Sequence, residues 1–205
     1  LVEQEGVYFK NHSKVPFSGE VTGQREGSVR NGLLEGEWVS YHGNGELGLR
    51  GEYQGGQRHG SWDFFHENGL QKYKGNYHHG VKEGSWSFYT YDGELLETGQ
   101  YRADRKEGDW EAYHYYGQLR VKGAYVNGKE DGVWVFYHYN GQVRNTGYFI
   151  DGTKTGHWIS YHENGELWRK GQYINGKKDG VWEMYSKDGS VSSKSGFYKD
   201  GVKFD

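Results

Sequence analysis

Gly156–Asp179 reads GHWISYHENGELWRKGQYINGKKD, and most of the remaining chain repeats this 24-residue frame. Copies start at Gly36, Gly60, Gly84, Gly108, Gly132, Gly156 and Gly180. Two residues into each copy stands a tryptophan: Trp38, Trp62, Trp86, Trp110, Trp134, Trp158 and Trp182. Seven of the eight tryptophans on one period mark a repeat protein, in which each unit is stabilised by its neighbours.

Two turn signals punctuate the frame. The first is Asn44-Gly45, Asn68-Gly69, Asp92-Gly93, Asn140-Gly141, Asn164-Gly165 and Asp188-Gly189, with Tyr116-Gly117 the exception; the second includes Asn127-Gly128, Asp151-Gly152 and Asn175-Gly176. Asn-Gly and Asp-Gly accept positive φ at both central positions, so both sites are expected to form two-residue type I′ hairpins. Two antiparallel strands per repeat follow. No window has the 3.6-residue apolar period of a helix.

A two-residue loop at Asn164-Gly165 sets a register: His162 faces Leu167, Tyr161 faces Trp168, and Trp158 faces Gly171. Side chains alternate between faces, so Trp158, Ser160, His162, Leu167 and Tyr173 share one face. Each tryptophan is expected to lie over the glycine it faces, namely Gly51, Gly75, Gly99, Gly123, Gly147 and Gly171, an indole covering the gap that a strand glycine leaves. Gly123→Val should therefore displace Trp110.

Composition suits a thin sheet. Hydrophobic residues make up 33% of the 205, aromatic residues 18%, and 35 residues are glycine, too little aliphatic mass for a thick two-layer core. A net charge of −3 from 25 basic and 28 acidic residues, intermixed, gives no footprint for nucleic acid and argues against contact with an anionic membrane. No run of 18 apolar residues marks a transmembrane segment. The absence of cysteine fits either redox compartment. Leu1 in place of Met fits a removed leader or a start inside a longer protein, and the compartment stays open.

Residues 1–35, with the only proline at Pro16, read as an N-terminal cap and half repeat, since Gly27, Val29 and Gly32 occupy the positions of Gly51, Tyr53 and Gly56. Residues 36–205 hold seven repeats. In the last, Gly196, Tyr198 and Gly201 fall 25 residues after Gly171, Tyr173 and Gly176, so one residue is inserted between Ser190 and Ser195 as a bulge. Lys199, Asp200, Lys203 and Asp205 follow it.

These residues resemble the MORN repeat family in its bacterial variant, with G-x-W-x-x-Y-x-x-N-G-x-L and Y-x-N-G-K-x-x-G carried by Gly156, Trp158, Tyr161, Asn164, Gly165, Leu167, Tyr173, Asn175, Gly176 and Lys177. The resemblance spans Gly27 to Gly201. The opening from Tyr8 to Gly32, with Pro16-Phe17-Ser18-Gly19, is similar to that of members associated with toxin–antitoxin systems. The resemblance implies an all-β, elongated, single-layer antiparallel meander solenoid of 24-residue hairpins. It implies scaffolding or protein–protein interaction more often than catalysis, and phospholipid binding in some relatives.

Candidate chemistry is sparse. His42, His66, His114, His138 and His162 share one repeat position, but two strands per repeat space them roughly 9.6 Å apart, too far to share an ion; they are expected to pack before the turn. His78 and His79 are adjacent and should point to opposite faces, so no metal is expected there. Glu35, Glu83, Glu107, Asp131 and Asp179, with Lys82, Lys106, Lys129 and Lys178, read as sheet-margin charge. No cysteine nucleophile, G-x-S-x-G elbow or phosphate loop is present, so neither catalysis nor a cofactor is expected. The candidate partner face is the second aromatic stripe: Tyr41, Phe65, Tyr89, Tyr113, Tyr137, Tyr161 and Tyr185, with Trp168. The register pairs it with Lys72, Arg120, Arg144 and Trp168, an interface-like composition. The expected function is a non-enzymatic protein-interaction or scaffold module, with an antitoxin or immunity role among its forms. The alternatives are a homo-oligomer or filament subunit joined through sheet edges and, more weakly, peripheral phospholipid binding.

Overall fold

The computed structural model describes residues 1–204, which leaves Asp205 outside the described residues. Every named element is a β-strand. Among the described residues there is no helix long and apolar enough to cross a membrane. The chain divides into two compact units, one formed by Leu1–Leu95 with Tyr101–Asp104, the other by Leu96–Gln100 with the chain from Arg105 onward.

Each repeat supplies a longer strand carrying the tryptophan and a shorter one carrying the facing glycine. In the first unit the longer strands are Leu33–Tyr41, Gln57–Phe65 and Val81–Tyr89, and the shorter ones Leu47–Gln54 and Gln71–His78. Val2–Gln4, Val7–Phe9, Gly19–Val21 and Arg25–Arg30 precede them. In the second unit Arg105–Tyr113, Lys129–Tyr137, Thr153–Tyr161 and Lys177–Met184 alternate with Leu119–Val126, Val143–Ile150 and Leu167–Ile174, then Gly196–Lys199 and Val202–Phe204. Leu95–Arg102 divides its residues between the units. Within each unit strands pair antiparallel in chain order, as a meander, and among the described residues neither unit's first strand pairs with its last.

The two turn sites have different chemistry. The second adopts the expected type I′ form: Asn127-Gly128, Asp151-Gly152 and Asn175-Gly176 have positive φ at both residues. The first does not. At Asn164-Gly165 only the glycine is left-handed, Gly165 N–H donates to His162 C=O at 2.9 Å, and His162 N–H donates to Glu166 C=O at 2.8 Å. This is a three-residue loop closed by a glycine bulge. It corrects the register at the strand end: Trp158 faces Gly171 as expected, whereas Tyr161 faces Leu167 rather than Trp168.

A second irregularity explains the glycine that opens each frame. Lys122 pairs with Val135 and Ala124 with Asp131, so Gly123 alone spans Gly132, Val133 and Trp134. Gly132 turns the bulge with φ +84°, and a Cβ there would meet nothing within 4 Å. Backbone conformation selects this glycine, and available space does not. Gly123 is the opposite case. A Cβ built on it would lie 2.6 Å from Cγ of Trp134 and closer still to Cδ2 and Cε2.

The indole over each glycine thus comes from the following repeat, which corrects the expectation that Trp110 covers Gly123. Trp62 over Gly51, Trp86 over Gly75, Trp110 over Gly99, Trp158 over Gly147 and Trp182 over Gly171 repeat the arrangement, and Trp38 covers Gly27 of the half repeat. Trp134 Nε1–H donates to Ala124 C=O at 3.2 Å, and each of the other six indoles makes the same bond ten residues back. An aromatic ring stands edge-on between successive indoles: Tyr53 between Trp38 and Trp62, Tyr125 between Trp110 and Trp134, Tyr173 between Trp158 and Trp182. Such pairs add about 0.5–1.5 kcal/mol beyond area burial. The core is therefore built by each repeat inserting its indole into its predecessor. In the last repeat the extra residue forms a turn, Ser195 N–H to Ser192 C=O, and the Ser195 hydroxyl satisfies the Met184 backbone.

Candidate functional site

Several residues that could carry chemistry are occupied in joining repeats. Nε2 of His42, His66, His114, His138 and His162 lies 3.0–3.4 Å from the carbonyl of Phe65, Tyr89, Tyr137, Tyr161 and Tyr185 respectively, always 23 residues on. The expected packing role before the turn becomes a hydrogen bond that requires the Nε2–H tautomer. The turn asparagines act likewise: Asn44, Asn68 and Asn140 donate Nδ2 to Glu67, Tyr91 and Glu163 carbonyls. The carboxylates before the frame glycine also cross repeats. Glu35, Glu83, Glu107 and Asp131 accept the N–H of Gly55, Ala103, Asn127 and Asp151. Asp179 instead pairs with the Lys199 ammonium. Each carboxylate serves its own turn, and they do not converge.

The indole face carries cations. Arg58 lies over Trp62 and Lys82 over Trp86 in the first unit; Lys106, Lys154 and Lys178 lie over Trp110, Trp158 and Trp182 in the second, with centroid distances of 3.8–4.8 Å. Burial pushes the Lys154 and Lys178 pKa values down, and the nearby Arg169 charge adds to the effect. Arg169 Nε donates to the buried Ser160 hydroxyl at 3.3 Å.

The second aromatic stripe is half-buried throughout: Tyr41, Phe65, Tyr89, Tyr113, Tyr137, Tyr161 and Tyr185. Its predicted cationic partners are wrong by one residue because of the glycine-bulged loop. Phe65 faces Gln71, Tyr113 faces Leu119, Tyr137 faces Val143 and Tyr161 faces Leu167. Trp168 stacks under the Arg169 guanidinium, 4.3 Å from the ring centroid, and approaches His162. Tyr113 and Tyr185 donate to Glu111 and Glu183 at 2.6 Å. The Tyr113 phenol is pushed up to about 12, chiefly by its hydrogen bond to the Glu111 carboxylate.

On the face away from the indoles, the units differ at equivalent positions. Ser61 faces Asn76 in the first unit; three frames on, Val133 faces Tyr148 in the second. Likewise Gln54, Asp63, His78 and Ser87 correspond to Val126, Val135, Ile150 and Ile159. Val126, Val133, Tyr148 and Ile150 are 48%, 61%, 41% and 55% exposed. Beside Val133 and Val135 a shallow depression of about 530 Å³ is floored by Gly123 and rimmed by Lys122, Glu111 and Asp131. The depression in the first unit, about 450 Å³, has Ser61 and Asp63 where the second has Val133 and Val135, although Val39 lines it where the second has Glu111. Sequence reasoning missed this apolar strip, although comparing frame positions copy by copy would have found it. Exposed tyrosines at the first turns, Tyr115, Tyr116 and Tyr139 in the second unit, were also missed.

One sequence expectation about histidine fails. His78 and His79 do not point to opposite faces, and their ring centroids are 4.5 Å apart. His79 is the first residue of a type I′ turn with φ +47°, where strand alternation no longer applies.

No curated protein matches the chain at a significant level. Three consecutive stretches, residues 130–151, 154–175 and 178–200, match the family model described as MORN repeat variant, so the part of the second unit that holds Val133, Tyr148 and Ile150 is similar to a repeat generally associated with protein and membrane interaction.

Proposed function

We propose that this chain is a non-catalytic module that binds a protein partner through the outer face of its second unit. The strip Val126, Val133, Tyr148 and Ile150 carries the proposal. At the same positions of the same frame the first unit has Gln54, Ser61, Asn76 and His78, so the fold does not demand apolar side chains there. Exposed apolar side chains such as Val133 and Tyr148, which face each other across the ladder, with charged residues beside them, have the composition of a protein interaction site. The half-buried Tyr137 and Tyr161 of the predicted partner stripe extend it, and aromatic side chains of this kind supply most binding energy at interfaces. An antitoxin- or immunity-like role, implied by the resemblance of the opening residues, would make that partner a toxin.

Val133→Asp with Tyr148→Asp should abolish partner capture from the native source. Ser61→Asp with Asn76→Asp, matched in position, should leave it intact. Equal capture by both pairs would overturn the assignment of the face. Light scattering on the same proteins distinguishes self-association, which would appear as a concentration-dependent mass lost only in the first pair. Vesicle flotation tests the phospholipid alternative.

A further inference from the structure

His59, His78 and His79 converge on the outer face of the first unit and play no part in the proposed partner contact. The pairing Gly60 with Tyr77 runs on to place His59 beside His78 across the ladder. His79, left-handed at the turn, brings its ring to the same side. Ring centroids are 5.4 Å apart for His59 and His78, and 5.1 Å for His59 and His79. One ring nitrogen from each lies within 4.8 Å of the other two. His59 Nδ1 is buried and has no hydrogen-bond partner. An unsatisfied buried polar atom is destabilising, and a cation would give this nitrogen a partner. The five histidines of the first-turn position differ, because each has its Nε2 at a carbonyl.

The geometry points to a three-imidazole binding site for a borderline divalent transition-metal ion, with Zn²⁺ the natural occupant and a fourth position open to water. Imidazole ligands without thiolate suit Zn²⁺, Cu²⁺ and Ni²⁺ and are poor ligands for Mg²⁺ or Ca²⁺. Bonds of about 2.0–2.1 Å in a tetrahedral site place ligand nitrogens roughly 3.4 Å apart. The widest pair must therefore close by up to about 1.4 Å, from 4.8 Å to roughly 3.4 Å, a motion that rotation of the exposed His78 and His79 side chains supplies. The bound ion would join the strand Gln57–Phe65 to the His79-Gly80 turn.

Zn²⁺ titrated into metal-stripped protein by calorimetry near neutral pH should bind at one ion per chain. His78→Gln and His79→Asn should each weaken it at least about tenfold, the lower end of the loss seen even when only the support of a ligand is removed. Asn tolerates the left-handed turn, so His79→Asn removes the ring and keeps the hairpin. Zn²⁺ should raise the unfolding midpoint of the wild type but not of the variant that combines His78→Gln with His79→Asn, and His114→Gln should bind like the wild type. Acidification should release the ion, because protons compete with it for the ring nitrogens. Equal Zn²⁺ affinity and stoichiometry in the wild type and His78→Gln, or no uptake by the wild type, would overturn the assignment.

Discussion

Replacing Gly123 by Val should be among the most damaging single changes in the second unit. The Cβ alone would overlap Cδ2 and Cε2 of Trp134, and the branch adds two further carbons against a ring that is 5% exposed. Gly123 also pairs with Trp110 across the ladder, so the backbone cannot withdraw without opening that pair. The indole must leave. It takes with it the Nε1 bond to Ala124 and edge-on contacts with Tyr125 and Phe149. A buried tryptophan removes about 200 Å² from water, or roughly 5 kcal/mol as an upper figure, and large core truncations cost about 3–5 kcal/mol. We expect a loss of about 3–5 kcal/mol in urea unfolding, against within about 0.5 kcal/mol for Gln118→Ala at an exposed turn position. Indole N–H exchange locates the damage: the Trp134 resonance should lose protection before that of Trp110. Equal midpoints for the two variants, or selective loss at Trp110, would refute the packing of each indole over the preceding repeat.

Other outcomes follow from the same geometry. Gly132→Ala meets open space but puts a Cβ at φ +84°, so it should cost about 1–2 kcal/mol by chemical denaturation, and Gly132→Asn less. Asn140→Ala loses the bond to Glu163 C=O and the acceptor for Gln142 N–H, about 1–2 kcal/mol together, whereas Asn140→Asp should keep the second and cost about half as much in the same assay. Tyr113 should ionise near 12 by ultraviolet titration, and Glu111→Gln should lower that midpoint. The folded pKa is raised above the unfolded one, so its contribution to stability is complete below about pH 10 and is lost as pH rises toward about 12.

The repeat frame made the strand pairs and the facing of Trp158 with Gly171 legible, because a fixed period and two turn signals leave few registers. Two features escaped for definable reasons. Asn-Gly pairs occur at both turns, yet at Asn164 the side chain serves an Asx contact to Glu166 N–H and the backbone stays right-handed. Dipeptide identity alone does not separate that from the Asn175 turn. The indole over Gly123 comes from Trp134 because the bulge at Gly132 carries the next strand across, and a bulge of three residues against one leaves no mark on side-chain alternation. The site was less legible than the fold. Val133, Tyr148 and Ile150 break no repeat rule, and they stand apart only when set against Ser61, Asn76 and His78 at the same frame positions and when their exposure is seen. Strand alternation does not hold at His78 and His79 because His79-Gly80 occupies the second turn, where Asn127-Gly128 stands two frames on.

Site-specific photocrosslinking tests the proposed partner face most directly. A benzophenone side chain introduced at Tyr148 and, separately, at Asn76 places the same probe at one frame position in each unit, in each case on that unit's face away from the indoles. The apolar-strip account predicts one discrete protein adduct from position 148 and none from position 76. Adducts of equal yield from both positions, or adducts from position 76 alone, would contradict it.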